Sequence, residues 1–188
     1  MNIPKLLMLE WHYEHMPSMF NDYKLCYTDT DSFIYSIKSD NIQETFCQNN
    51  HLFDFSNYPE NHQCRREHIP SNTKAIGKMK DELEGKWNGE FVGLRSKCYS
   101  LKYDDEEKRT CKGISMSAIE NKLPHDKYLS MLNTTMSTTI STTMSTIRSR
   151  SHKLQTVCIN KVALSSYDDK RYAINNHETQ PLGHYMNV

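Results

Sequence analysis

The sequence predicts an α+β fold: a helix supporting an antiparallel β-hairpin, then a mixed region of a second β-hairpin and helices. Three observations carry this expectation. Leu6, Leu9, Tyr13 and Met16 recur at the spacing of one helix face. Leu25-Cys26-Tyr27 and Phe33-Ile34-Tyr35-Ser36-Ile37 are strand-forming runs on either side of a short polar turn. Further on, residues 90–103 read as one extended element, answered after the acidic turn Asp104-Asp105-Glu106-Glu107 by a returning strand over 108–114.

Taken in order, the helix is expected over residues 4–16, with Asn2 as cap, Pro4 in the first turn and Pro17 as its end. The hairpin follows over 23–37. Residues 38–73 are polar, with Pro59 and Pro70, and read as a long connection with little structure of its own. Gly77, Gly85, Gly89 and Gly93 then punctuate short pieces. Within 90–103, Lys97 and Tyr99 are two apart, which in a strand places them on one face. A helix is expected from near Pro124 through Tyr128, Leu129 and Leu132. Residues 134–145 repeat Thr-Thr-Met/Ile-Ser with a period of four, within a Ser/Thr-rich stretch over 134–147. Thr and Ser are weak helix formers, so a flexible insertion is favoured over a helix there.

At 188 residues the chain has room for one domain or two small ones. Formal net charge is zero, but residues 148–172 hold Arg148, Arg150, Lys153, Lys161, Lys170 and Arg171 against only Asp168 and Asp169. Such a local excess, not the total, meets phosphates. The six cysteines show no Cys-x-x-Cys spacing, which argues against a zinc site. No secretory signal opens the sequence and no stretch is long and apolar enough to span a bilayer, so no membrane partner is expected. Free thiols in an intracellular, reducing compartment are the expectation.

The chemistry concentrates in Tyr27-Thr28-Asp29-Thr30-Asp31-Ser32. A strand-turn-strand there holds Asp29 and Asp31 together at an exposed tip. Two like charges so close repel unless a cation joins them, and magnesium, a hard ion that takes oxygen ligands, suits the pair. Asp and Thr are also common turn residues, and a bare Asp-x-Asp would be an ordinary hairpin. The same dipeptide pattern occurs in haloacid-dehalogenase-type phosphatases, but there a Thr or Val and a loop-helix follow, whereas here Phe33 begins a strand.

Tyr-x-Asp-Thr-Asp-Ser closely resembles the third palm motif of family B DNA polymerases. Lys97-Cys98-Tyr99, within Leu94-Arg95-Ser96-Lys97-Cys98-Tyr99-Ser100, resembles their downstream Lys-x-Tyr motif. Ile76-Gly77-Lys78-Met79-Lys80-Asp81-Glu82, Cys111-Lys112-Gly113-Ile114 and Tyr167-Asp168-Asp169-Lys170-Arg171-Tyr172 resemble, in order, the protein-primed branch of Maverick/Polinton-type mobile elements and related viruses. The resemblance implies a palm hairpin and thumb. Residues 1–90 would be the carboxyl-terminal part of the palm, with the hairpin 23–37 and an irregular insertion 38–73. Residues 91–188 would be thumb-like, with the Ser/Thr-rich insertion 134–147.

It further implies template-directed nucleotidyl transfer with two magnesium ions about 3.5–4 Å apart. Asp31 would be the principal metal ligand and Asp29 the secondary one, with Tyr27 and Thr30 setting the turn. Lys97 and Tyr99 would contact the primer strand near its growing end, and Lys112 would face the primer-template duplex. Lys170 and Arg171 would grip the product duplex. Deoxynucleoside triphosphates and a terminal priming protein complete the implied partners.

One family pattern is altered and others are absent. Where relatives carry a lysine before the cysteine, Thr110 stands here. The earlier palm Asp-x-x-Ser-Leu-Tyr-Pro motif and the fingers lysine and tyrosine do not occur, and no proofreading Asp-x-Glu stands ahead of the hairpin. The chain is therefore expected to act only with a missing amino-terminal polymerase portion and to be inactive alone. The alternative is a non-catalytic DNA-binding remnant of a mobile element or endogenous virus.

Overall fold

A computed structural model describes residues 3–134, 138–167, 171–174 and 179–181. It is a mixed α+β structure with antiparallel sheets, divided into two compact units, Met1–Gly89 and Glu90–Val188. Among the described residues no helix is long and apolar enough to cross a membrane.

The first unit opens with a continuous helical run: α1 (Ile3–Glu10), a π turn (Trp11–His15) and α2 (Met16–Met19). Asn2, the expected cap, lies outside the described residues. Pro17 does not end the helix, contrary to the sequence expectation. In an α-helix its ring would strike the Tyr13 carbonyl. The π turn just before it widens the backbone, with the Met16 N–H bonding to Trp11 O, and the run continues to Phe20, whose φ of −137° is extended.

The hairpin forms as expected from β1 (Tyr23–Asp29) and β2 (Ser32–Ile37). An uninterrupted β1 would place Tyr23, Leu25, Tyr27 and Asp29 on one face. A bulge between Leu25 and Tyr27 breaks that alternation. Tyr23 and Leu25 therefore pair with Ile37 and Tyr35, while Tyr27 and Asp29 pair with Ile34 and Ser32. Tyr23, Phe33, Tyr35 and Ile37 pack on the buried core, leaving Asp29 on the opposite face of the ribbon.

Residues 38–73 are not a structureless connection. They contain α3 (Ile42–Gln48), α4 (Gln63–Arg66) and two 3₁₀ turns (Asn50–Leu52 and Pro70–Asn72). More importantly, they supply most of the unit's core: Phe46, Cys47, Phe53, Phe55, Tyr58 and Cys64, around Trp11, Met16 and Phe20. Phe53 meets Trp11 edge-on at 5.2 Å and Phe55 stacks on Phe53 at 5.2 Å. Cys47 and Cys64 are joined in a disulfide across a Cα separation of 5.1 Å, which corrects the expectation of free thiols for this pair. Their separation of 17 residues carries no recognisable motif; the packing of α3 beside α4 brings them together.

Asp81, within the Ile76-to-Glu82 motif, is a structural anchor. Its carboxylate accepts from Tyr58 Oη at 2.5 Å, Trp87 Nε1 at 2.9 Å, Leu83 N at 2.8 Å and Gly85 N at 2.9 Å. Burial, then the charge on Asp81, push the Tyr58 phenol far above its ordinary range, so it remains a donor. Asp81→Ala strands these donors and is expected to cost roughly 2–3 kcal/mol, measurable by urea unfolding. A loss below about 0.5 kcal/mol, the ordinary surface value, would refute the anchor.

In the second unit, β3 (Gly89–Arg95), β4 (Cys98–Tyr103) and β5 (Glu106–Cys111) form a three-stranded sheet in that order. The single extended element expected over 90–103 is thus two strands, broken at Ser96 and Lys97, where Lys97 takes φ 56°. Helices α5 (Met116–Lys122) and α6 (His125–Leu132) cover one face, α6 where the sequence places it. Val92, Cys98, Cys111, Ile119, Leu123 and Tyr128 lie in the core.

The Ser/Thr repeat is neither flexible nor helical where it is described: it enters β6 (Thr139–Arg150), which pairs along its length with β7 (Lys153–Ser165). Residues 135–137 lie outside the described residues. Thr is β-branched, poor in helices and well suited to strands, so pairing settles what the period left open. The strands meet at Ser151 and His152, both with positive φ (51° and 60°), a two-residue turn of the type that matches strand twist. Ile140, Met144, Ala163 and Leu164 fasten the base of this ribbon to the core. A short pair, β8 (Arg171–Ala173) and β9 (Thr179–Pro181), follows.

Candidate functional site

The hairpin tip presents both aspartates as the sequence leads one to expect. Asp29 is the last residue of β1, paired with Ser32, and Thr30 and Asp31 are the two turn residues. Asp29 is half-buried and Asp31 exposed, so neither lies beneath apolar neighbours. The turn is tight: the Asp31 N–H bonds to Asp29 O at 2.6 Å, and Ser32 Oγ donates to the same oxygen at 3.0 Å.

Tyr27 and Thr30 both act on Asp29. Tyr27 Oη donates to Asp29 Oδ2 at 3.5 Å and Thr30 Oγ1 to Oδ1 at 3.2 Å. Each donor fixes one carboxylate oxygen. Thr30 holds φ at 50°, a left-handed conformation that is strained for a β-branched residue. Strain of this kind persists where surrounding structure enforces it, and it concentrates at ligand-holding turns. Asp29, closing β1, and Asp31, in the turn, are two oxygen donors of the kind a hard cation takes. Among the described residues no group of three or more His, Cys, Asp and Glu gathers.

The support behind the tip is aromatic. His12, in the π turn, bonds through Nδ1 to Tyr35 Oη at 3.0 Å and stacks on that ring at 5.9 Å. Phe33 packs on Tyr35 at 5.2 Å. The helix thus holds β2 from its core face while the other face carries Tyr27 and Asp29.

In the second unit the structure joins residues that the sequence named separately. Lys97 is not in a strand, so the two-apart rule does not relate it to Tyr99. Instead Lys97 lies opposite Lys112, with the Lys112 N–H bonded to Lys97 O at 2.8 Å. Lys112 sits just past the end of β5, not within the returning strand. The next outward-facing pair is Tyr99 opposite Thr110, the position where a lysine was expected. Tyr99 is half-buried beside Phe91 at 5.8 Å, and both lysines are exposed. Lys97 and Lys112 thus bring two cationic residues to the same sheet end.

Sequence reasoning noted the basic stretch from 148 but missed its placement. Arg148, Arg150 and Lys153 occupy the far end of the β6–β7 ribbon, with Arg150 paired to Lys153. From 139 to 165 the chain has four Lys and Arg and no Asp or Glu. Both faces of the outer ribbon are exposed, including Ile147 and Leu154 at 71% and 77%. Arg171 begins β8, and Lys170 lies outside the described residues. Comparison with protein-family models, curated proteins and solved structures finds no match to this chain.

Proposed function

We propose that this chain forms the palm hairpin and thumb of a protein-primed family B DNA polymerase, acting with a polypeptide portion that brings the earlier palm aspartate and the fingers. The observation that supports this reading is the two-residue turn with Asp29 and Asp31 on either side of a left-handed Thr30. Asp31, exposed, is assigned as principal magnesium ligand; Asp29, held by Tyr27 and Thr30, shapes the charge beside it. Bound magnesium would lower the pKa of the primer hydroxyl and offset charge on the nucleoside triphosphate. Because the sequence lacks the earlier palm aspartate motif, the 188-residue chain alone is expected to give no magnesium-dependent primer extension.

The second unit then holds primer-template duplex. Lys97 and Lys112 offer paired cations for a phosphate, and Tyr99 a ring for a sugar or base. The ribbon suits a duplex groove, because a two-stranded β-ribbon fits the major groove and its outer half carries Arg148, Arg150 and Lys153 with no acidic residue. Contacts of this kind are sequence-independent and salt-sensitive.

The test is binding of the full chain to a primer-template duplex by fluorescence anisotropy across a salt series. Replacing Arg148, Arg150 and Lys153 together with Ala is expected to flatten the slope of log affinity against log salt by about 2.7, roughly 0.9 for each phosphate no longer neutralised. Binding indifferent to salt, or a slope unchanged by the triple substitution, would contradict the reading.

A further inference from the structure

We propose that Cys98 and Cys111 form a peroxide-oxidisable dithiol, a modification site whose disulfide loosens the base of the β6–β7 ribbon. The two cysteines are direct cross-strand partners in β4 and β5. The bond from Lys112 N to Lys97 O marks the 97–112 pair as the hydrogen-bonded one. In an antiparallel ladder the next pair, Cys98 with Cys111, is then the non-hydrogen-bonded kind, with Cα atoms about 4.5 Å apart and side chains closest. That spacing lies within the range a disulfide spans. The sulfurs are already only 4.0 Å apart.

Both thiols are buried, at 1% and 3% exposure, which favours a small oxidant such as hydrogen peroxide over a bulky disulfide. The hydrogen bond with Cys111, then Arg95 beside it, hold Cys98 below the ordinary thiol range, while that bond and burial push Cys111 up. Cys98 thiolate is therefore the nucleophile. It attacks one peroxide oxygen, the O–O bond breaks, and hydroxide leaves with a sulfenic acid on Cys98. The Cys111 sulfur then attacks the Cys98 sulfur, forming the S–S bond and releasing the hydroxyl as water. Two thiols and one peroxide give one disulfide and two waters.

The consequence runs through Ala163. Between Ile140 and Ser141 the register of β6 against β7 skips Ala163, a bulge residue. Its carbonyl instead accepts from Cys111 Sγ at 3.1 Å and Arg95 Nη2 at 3.4 Å. Oxidation removes the thiol donor and leaves Arg95 alone on a buried carbonyl, so the bulge that fastens the ribbon loses one of its two ties.

The experiment treats the full chain with hydrogen peroxide, then alkylates it under denaturing conditions and maps peptides without reduction. The expected result is a linked Cys98–Cys111 peptide pair, loss of both thiols, and reversal by dithiothreitol. Amide exchange over 162–164 should rise roughly fivefold in the oxidised protein, as loss of one hydrogen bond implies. In Cys111→Ser the Cys98 sulfenic acid has no partner and should be trapped by dimedone added together with the denaturant. Both cysteines fully alkylated while exposed Cys158 is oxidised, or Cys98 carried to sulfinic acid in the unsubstituted chain, would overturn the proposal.

Discussion

Asp31→Ala is expected to slow nucleotide incorporation by about a thousandfold or more in a polymerase completed by the earlier palm aspartate and the fingers. A catalytic metal contributes several kcal/mol of transition-state charge stabilisation, and each ~1.4 kcal/mol is a factor of ten in rate. The substitution is well isolated. Asp31 is exposed, and the turn bond it makes, from its N–H to Asp29 O, belongs to the backbone. Stability should therefore stay within about 0.5 kcal/mol of the parent, as for most surface changes. Asp29→Ala should cost less in rate, about a hundredfold, because Asp29 is assigned the secondary role, and more in stability, because Tyr27 and Thr30 lose their acceptor. Single-turnover incorporation at saturating nucleotide gives both numbers. Parent-like incorporation by Asp31→Ala would favour the alternative, a module that holds DNA without chemistry.

Phe55→Ala is expected to destabilise the first unit by about 4 kcal/mol, the range for removing a buried aromatic ring. Phe55 has no exposed surface, stacks on Phe53 and meets Tyr58 at 5.1 Å. Phe53 in turn leans on Trp11, one residue from the His12 that holds Tyr35. Loss of the Phe55 ring therefore loosens packing that continues through Phe53 and Trp11 toward the helix behind the hairpin. Guanidinium unfolding of the full chain, followed by tryptophan fluorescence from Trp11 and Trp87, measures the loss. A change under about 1 kcal/mol would mean that residues 38–73 do not form a core.

That second result also marks where the sequence was hard to read. The hairpin was legible because aromatic and β-branched runs flank Asp29-Thr30-Asp31 without interruption. The core of 38–73 was not, because Phe46, Phe53, Phe55 and Tyr58 are sparse among polar residues and follow neither helical nor strand period. Their burial is a long-range fact. The Cys26 bulge, which lets Tyr23 face the core and Asp29 face away, likewise carries no glycine to announce it. Ser96-Lys97 turns the chain without Gly, Pro or Asn, and so hid the β3–β4 junction and the meeting of Lys97 with Lys112. The Thr repeat was read through its period of four, whereas strand pairing with β7 decides its conformation. Helix α5 has no counterpart in the sequence expectation, and Pro17 reads as a stop because the sequence does not show the π turn that accommodates it.

The central claim, that Asp29 and Asp31 together grip a divalent ion, is tested most directly by iron(II)-directed hydroxyl-radical cleavage of the full chain. Iron substituting for magnesium should cut the backbone within residues 28–32, and the cuts should fade with competing magnesium and vanish in Asp31→Ala. Cleavage absent from the hairpin tip, or unchanged by Asp31→Ala, would contradict it.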